Sequence, residues 1–312
     1  MRPGMTGDAT RPDGRPRLAE PGLLGRRRDR ALARGVGEGA NFLWRTAADA
    51  VAERLEDTLR DFPDGLIHGT GAGAVRAALP AKVGTRRLRQ IDVSPAMAAA
   101  AGGKAHDDEV LPVEQGEADL VLSILMLHWA DDPVGQLVQL RRALRPDGLM
   151  IAALLGGQTL SELRVALAEA EAEVTGGLSP RVAPMGEIRD LGALLQRAGY
   201  AMPVADSERL TATYESPLAL MRDLRAMGET NILAERHRVP MRRAVLSRAC
   251  DVYAERFARP DGRVPATFEI VYLTGWAPGP DQPEPKRPGS ARARLADALG
   301  TVEVPTGEKP GG

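Results

Sequence analysis

Apolar and polar positions in the first half of the chain alternate between helical and strand-like spacing. Apolar side chains recur every three or four positions through residues 42–59, which predicts an amphipathic helix. Pro63-Asp64-Gly65 is expected to break the chain after it. Between segments with helical spacing lie short apolar runs, at residues 66–68, 88–93, 119–125 and 148–155. Strands that alternate with helices predict an α/β fold with a doubly wound parallel sheet.

The second half of the chain ends in two segments that alternate as strands do, residues 208–215 and 268–274. The roughly 50 residues between them contain two stretches with helical spacing, 217–227 and 242–257, and are too long for a plain connection. We therefore expect a helical insertion at about residues 216–260 that caps a pocket.

Low-complexity segments flank this pattern. Residues 1–22 are rich in Gly, Pro and Arg, and residues 278–290 are rich in Pro. Such compositions predict disorder, so we expect tails at residues 1–25 and 278–312 around one domain at residues 26–277. A basic cluster at residues 26–34 opens the domain, and its simplest interpretation is a solvated helix face.

Composition narrows the classes of function. A formal net charge of -1 gives no general attraction to nucleic acid. Cys250 is the only cysteine, so no intramolecular disulfide and no cysteine-based zinc site is possible. No apolar run approaches the roughly 20 residues of a membrane-spanning helix, so no integral membrane segment is predicted. These features led us to expect a cytoplasmic protein.

Three glycines mark the turn from the first strand into the next helix: Gly69, Gly71 and Gly73. Glycine allows the backbone to approach a ligand closely, and a helix N-terminus offers unpaired N–H groups. The spacing Gly69-x-Gly71-x-x-Ala74 also satisfies a dinucleotide fingerprint. A nicotinamide-dependent enzyme therefore stays an alternative, as does a tight turn without a ligand.

Two carboxylates follow at positions suited to a nucleoside. Asp92 ends the second strand about 20 residues after the glycines, where a carboxylate can accept both ribose hydroxyls. It could instead only cap the helix that Ser94 and Pro95 are expected to start. Asp107 could accept a hydrogen bond from an adenine amino group, or be one of several solvated acids.

A further group of candidates follows the central strand. Ser123 lies at its carboxyl edge, where open α/β sheets bind ligands. His128 and Trp129 come soon after. Trp129 could close over a cofactor or a substrate, and His128 could be a polar contact or a base. Core packing for Trp129 and a surface position for His128 are the alternatives.

The successive motifs at residues 69–73, 92–97, 111–112, 119–123 and 144–148 resemble those of class I S-adenosylmethionine-dependent methyltransferases. The resemblance implies a seven-stranded sheet and S-adenosylmethionine as cofactor. It adds Val93 and Met97 to the cofactor-binding set of Gly69–Gly73, Asp92, Asp107 and Ser123. His128 and Trp129 are then the candidates for catalysis.

More distinctive motifs are at residues 156–164, 176–180, 190–199, 227–231 and 264–270. This set resembles the family of mitochondrial respiratory complex I assembly factor 5 and its bacterial relatives. The resemblance implies a methyltransferase-like protein with a complex I subunit or an acyl-carrier-bound substrate as partner. Relatives methylate the carboxyl of a malonyl thioester, whereas the mitochondrial member is assigned arginine hydroxylation. Hydroxylation and a non-catalytic assembly role therefore stay alternatives.

One position departs from the methyltransferase pattern. Two residues before the first glycine, these enzymes usually carry an acid that binds the methionine amino group, and here the residue is Ile67. Loss of a charge-assisted hydrogen bond costs about 1.5–3 kcal/mol, so weaker cofactor binding is expected. His106 and Asp108 could form part of an iron site. Because spacing places no second histidine with them, no metal site is predicted.

Overall fold

The computed structural model describes residues 11, 14–35, 41–107, 109–280, 282 and 300–301. The chain divides into two units, residues 1–279 and 280–312, and the elements below belong to the first. Most of the predicted C-terminal tail at residues 278–312 lies outside the described residues, as do residues 1–10. The predicted N-terminal boundary at residue 25 is wrong, because it falls inside the first helix, Leu23–Ala33.

The described helices are α1 (Leu23–Ala33), α2 (Phe42–Glu56), α3 (Ala74–Ala78), α4 (Pro95–Ala100), α5 (Pro133–Ala143), α6 (Ser161–Thr175), α7 (Ile188–Arg197), α8 (Pro217–Met227) and α9 (Arg243–Phe257). The strands are β1 (Phe62–His68), β2 (Val83–Asp92), β3 (Lys104–Ala105), β4 (Ala118–Ile124), β5 (Leu144–Leu155), β6 (Ala201–Tyr214) and β7 (Val264–Trp276).

The seven strands form one sheet in the order β3-β2-β1-β4-β5-β7-β6. The first five run parallel, and β7 is antiparallel to both β5 and β6. This confirms the predicted seven-stranded α/β sheet. It also argues against the nicotinamide alternative, because the usual dinucleotide fold continues as 3-2-1-4-5-6.

Helices cover both faces of the sheet. Alternate residues of β4 point to opposite sides: Leu120 and Leu122 pack with α2, α6, α8 and α9, whereas Val121 packs with α5 and α7. Both faces are buried, which explains why β4 is apolar through nearly its whole length. The carboxyl ends of β1, β2 and β4 consequently meet at one edge of the sheet, where the predicted site residues lie.

Two strand boundaries differ from the sequence prediction. Pro63-Asp64-Gly65 does not break the chain but lies inside β1, where a register shift between Phe62 and Asp64 absorbs the irregular residues. The residues 144–148 belong to β5, although Asp147 has a φ of 62°. Ala118 of β4 pairs with Leu144 of β5, but Leu120 pairs with Leu149. The residues of the expected turn therefore form a bulge at the start of β5.

The predicted insertion between the last two strands consists of α8, α9 and the segment that joins them. Ser216 caps α8, since its hydroxyl accepts the N–H of Ala219 at 3.2 Å. Pro217 is the first residue of α8, and the left-handed Gly228 ends it at φ 79°. After Gly228 the chain returns toward α1 and contributes Glu229 to the interior.

Candidate functional site

The glycine loop after β1 is held in place by the end of β2. Asp92 Oδ2 accepts the backbone N–H of Thr70 at 2.8 Å and its hydroxyl at 3.1 Å. Asp92 Oδ1 accepts the N–H of Ser94 at 2.9 Å. Three of about four acceptor positions of this fully buried carboxylate are therefore used within the protein. Asp92 fixes the loop and the start of α4, and a ribose diol would have to displace one of these contacts.

Arg28, from α1, is the main cation of this region and is fully buried. Its Nη2 donates to the carbonyl of Leu125 and to Glu229 Oε1, both at 2.7 Å. Its Nη1 lies 2.8 Å from the sulfur of Met126 and 4.0 Å from Asp92 Oδ1. The basic cluster at residues 26–34 is therefore not a uniformly solvated helix face, because α1 directs this arginine into the interior.

Side chains of the protein fill the space beside the glycine loop. A Cβ placed on Gly69 would lie 2.6 Å from Met126 Cγ, and one placed on Gly71 would lie 2.8 Å from the Trp44 ring. The Arg28 guanidinium also lies 5.0 Å from the Trp44 ring centroid. The methionine part of S-adenosylmethionine is expected here, next to Gly69. In this arrangement the residues do not fit the cofactor, because Met126 and Arg28 occupy that space.

The first-strand position without an acid is part of the core. Ile67 is fully buried, and the adjacent His68 places Nδ1 3.0 Å from the hydroxyl of Ser123. Burial lowers the pKa of His68 well below its usual value, and the charges of His106 and Arg28 lower it further. His68 and Ser123 therefore form a neutral polar pair under the glycine loop.

The other predicted cofactor residues lie next to α1. Val93 is buried against that helix, because a Cβ on Gly25 would meet the Val93 carbonyl oxygen at 2.4 Å. Met97 is buried and its carbonyl accepts the Thr70 hydroxyl at 3.2 Å. Asp107 is exposed and lines an open cleft between α1 and the end of β2.

His128 and Trp129 converge on a carboxylate that the sequence analysis assigned no role. Glu229 Oε2 accepts the indole N–H of Trp129 at 2.7 Å and lies 3.4 Å from His128 Nε2. All three residues are buried, which excludes the alternative of a surface position for His128. Burial would raise the pKa of Glu229, but the charge of Arg28 and the hydrogen bonds lower it to about 2. Glu229 is thus a buried anion that Arg28 neutralises.

A cavity of about 430 Å³ opens on the other side of this network, between α6 and α8, and we call it the α6–α8 cavity. Leu163 and Leu167 line it from α6, and Met221 and Leu224 line it from α8. Trp129 and Glu229 also line it, and Glu229 separates it from the buried Arg28. A ligand in the α6–α8 cavity would therefore contact Trp129 and Glu229, but not His128 or Arg28.

Sequence reasoning missed Arg28 and Glu229, the two residues that organise the site. Arg28 was hidden within a run of arginines, and Glu229 stood in a motif, residues 227–231, that carried no assigned chemistry. The pair is separated by 201 positions. The only available signal was the apolar surroundings of each charge, such as Leu23 and Leu24 before Arg28.

The comparison with known proteins agrees with this architecture. A methyltransferase-domain family model matches residues 66–152. The arginine-hydroxylase NDUFAF5 of Danio rerio is 38% identical over 269 residues, 82% of each chain. A malonyl-[acyl-carrier protein] O-methyltransferase of Laribacter hongkongensis is 36% identical over 273 residues, 80% of this chain and 87% of its own. The chain belongs to the class I S-adenosylmethionine-dependent methyltransferase superfamily, as a relative of NDUFAF5.

Among solved structures, the YcgJ protein of Bacillus subtilis superposes with a TM-score of 0.51 at 12% identity. The match covers 74% of this chain and 98% of YcgJ, and it shows that the superfamily fold is shared. The comparisons also correct the expected cytoplasmic location. The NDUFAF5 relatives from Danio rerio, Mus musculus and Homo sapiens are mitochondrial proteins by name.

Membrane and metal features were searched within the part of the chain that the structure describes. No helix there is both long enough and apolar enough to cross a membrane. The same residues contain no group of three or more His, Cys, Asp or Glu side chains arranged to hold a metal ion. His106 is described, whereas Asp108, its suggested partner in an iron site, lies outside the described residues.

Proposed function

We propose that this protein acts in the biogenesis of respiratory complex I, where it engages a protein-borne or carrier-bound substrate through the α6–α8 cavity. The observation that carries the proposal is the extent of the similarity to NDUFAF5. The methyltransferase-domain model ends at residue 152, but the Danio rerio relative aligns 269 residues. The alignment must therefore include at least part of residues 155–268, which supply most of the cavity lining.

Deletion of the gene tests this role. We expect NADH:ubiquinone oxidoreductase activity of the membranes to fall, and a plasmid that carries the full chain to restore it. Succinate oxidation in the same membranes is the control for general damage to respiration. Normal complex I activity and normal amounts of the assembled complex in the deletion strain would contradict the proposed role.

Methyl transfer from S-adenosylmethionine is the first candidate for the chemistry. It is supported by the superfamily, and by Gly69, Gly71 and Asp92 at the expected strand ends. Because Met126 and Arg28 fill the space beside Gly69, these two side chains would have to move before the cofactor could enter. Trp129 and Glu229 line the α6–α8 cavity and would contact a substrate held there.

Arginine hydroxylation is the second candidate, since the NDUFAF5 relatives are named arginine hydroxylases. The charges around the cavity oppose a guanidinium substrate. Arg27 and Arg225 line the cavity and have no acidic partner within ion-pair distance among the described residues, and Glu229 is already paired with Arg28. Mass spectrometry of the complex I subunits with and without the gene separates the candidates. In the deletion strain the substrate subunit would lack a methyl group if the protein is a methyltransferase and a hydroxyl group if it is a hydroxylase. No mass difference is expected for a non-catalytic role.

A further inference from the structure

The α6–α8 cavity combines an apolar body with a cationic entrance. Its volume of about 430 Å³ lies within the range of pockets that enclose a small organic ligand. The body is lined by buried apolar side chains from several helices and strands, among them Leu163, Leu224 and Phe268. The lining residues that reach solvent include Arg225 and Arg238. A ligand would therefore have an apolar part inside the cavity and a polar part at its entrance.

The positive charge at this entrance is only partly neutralised. Arg236 and Arg238 share one carboxylate, Glu20, at 2.7 Å and 3.3 Å. Arg27 and Arg225, also in the lining, form no ion pair with any residue that the structure describes. The Nε of Arg27 is buried without a hydrogen-bond acceptor. A buried, unpaired donor of this kind is costly unless a ligand supplies an acceptor.

The arginines are close enough to influence one another. Burial lowers the pKa of Arg27, and the charges of Arg30, Arg236 and Arg225 lower it further. Glu229, the acid in the lining, does not offset this excess, because Arg28 and Trp129 each bind one of its oxygens at 2.7 Å. The entrance thus has a net positive potential that favours an anionic group.

We propose that the α6–α8 cavity binds a long-chain acyl anion, with the chain in the apolar body and its carboxylate or phosphate head at Arg27 and Arg225. The inference rests on the proposed function only in treating this cavity as the substrate site. Free fatty acids and lysophospholipids share this chemistry. A short acyl group would leave most of the apolar body without contact.

Calorimetric titration of the full chain tests the apolar body. Octanoate, decanoate and laurate should bind with affinity that rises about fourfold for each added methylene until the body is filled. Met221→Trp places an indole in the body and should weaken laurate binding at least tenfold. Met221 is only half-buried, so the variant should keep the fold, which a thermal melt verifies.

The head group is tested at constant chain length. Laurate should bind more tightly than dodecanol, and dodecyltrimethylammonium should bind weakest. Lauroyl lysophosphatidate, compared with laurate, identifies which source of anion the entrance prefers. Arg27→Gln and Arg225→Gln should each weaken laurate binding about threefold to tenfold. Arg222→Gln removes an exposed charge from α8 outside the cavity, and should have no effect.

Equal affinity for the three head groups would overturn the proposal, as would laurate binding that Met221→Trp leaves unchanged or the absence of saturable binding. These titrations use purified protein and do not involve complex I. Failure to bind an acyl anion in a chain whose deletion still lowers complex I activity would therefore reject the ligand and keep the proposed function. Acyl binding together with normal complex I in the deletion strain would keep the ligand and reject the proposed function.

Discussion

At the residue scale, Met126 changes what the glycine loop can bind. It follows the end of β4, and it places its thioether between Gly69 and Arg28. Glycine at position 69 normally leaves room for a ligand, but here that room is taken by a side chain of the protein itself. Ile67 removes the acid from the same place. Ile67 in β1 and Met126 just after β4 therefore both make the expected methionine subsite less suited to the cofactor.

We expect Met126→Ala to bind S-adenosylmethionine at least tenfold more tightly than the wild type, because the truncation frees the space beside Gly69. Isothermal titration measures both proteins. Met202→Ala, which truncates an exposed methionine, is the matched control and should behave as wild type. Tight binding by the wild type with no gain in Met126→Ala would show that the cofactor does not use this space.

The pair of Arg28 and Glu229 sets the stability of the site. Arg28→Met leaves the Glu229 carboxylate buried without a cation, which should lower the free energy of unfolding by about 3–5 kcal/mol. The double variant with Glu229→Gln should lose less than the single variant, because no carboxylate at position 229 is then buried without its cation. Urea unfolding measures both. Arg30→Met, on an exposed position of α1, should change stability by about 0.5 kcal/mol or less.

The same pair predicts a dependence on pH. The pKa of Glu229 is about 2 in the folded protein and near its usual 4.5 when the chain is unfolded. On acidification the unfolded state therefore takes up the proton first. The stabilisation is complete above about pH 4.5 and is lost as the pH falls toward 2. Unfolding free energies measured from pH 6 to pH 3 should fall less steeply in Glu229→Gln; parallel curves would contradict the assignment.

Sequence analysis proposed residues at the edge of the sheet but missed the buried Arg28–Glu229 pair between them. Asp92 and Ser123 lie at or near the carboxyl ends of β2 and β4, and Trp129 follows β4. The sequence could place them at one edge because strand ends converge in a parallel sheet. Arg28 and Glu229 could not, since neither lies at a strand end and each is a buried charge whose ionic partner is distant in the sequence. Local spacing contains no information on a contact between residues 201 positions apart.

At the scale of elements, α1 is the helix that packs over the end of β2 and the start of α4, beside the glycine loop. Gly25 lets the helix approach the Val93 carbonyl. Asp29 then joins α1 to α4, since its Oδ1 accepts the Ser94 hydroxyl at 2.6 Å and the Ala96 N–H at 3.0 Å. The sequence predicted a helix here, and the structure adds that its inner face forms one wall of the site.

Gly25→Ala should loosen α1, because the added Cβ would lie 2.4 Å from the Val93 oxygen and the helix must move outward. We expect faster amide hydrogen exchange through residues 23–33, with little change in β4. Gly177→Ala is the control, since a Cβ at that position has nothing within 4 Å. Unchanged exchange in α1 would show that the cleft tolerates a larger residue at position 25.

At the scale of the whole molecule, the sheet and the core clusters are complete by residue 277. A chain that ends at Gly279 should therefore melt within about 2 °C of the full chain, since it keeps all seven described strands. A chain that ends at Ile270 removes half of β7 and should fail to fold. A large loss of stability in the 1–279 chain would show that the second unit supports the first.

The position of β7 has a consequence for biosynthesis. This strand lies between β5 and β6, yet it is the last of the described strands to be synthesised. Until β7 has left the ribosome, β5 has one unpaired edge and β6 has no hydrogen-bonded neighbour, so a nascent chain of some 260 residues exposes both strands to incorrect pairing. Frameshifts before the codon of Val264 should therefore yield insoluble product rather than a shortened working protein, and chaperone demand should peak just before β7 is made.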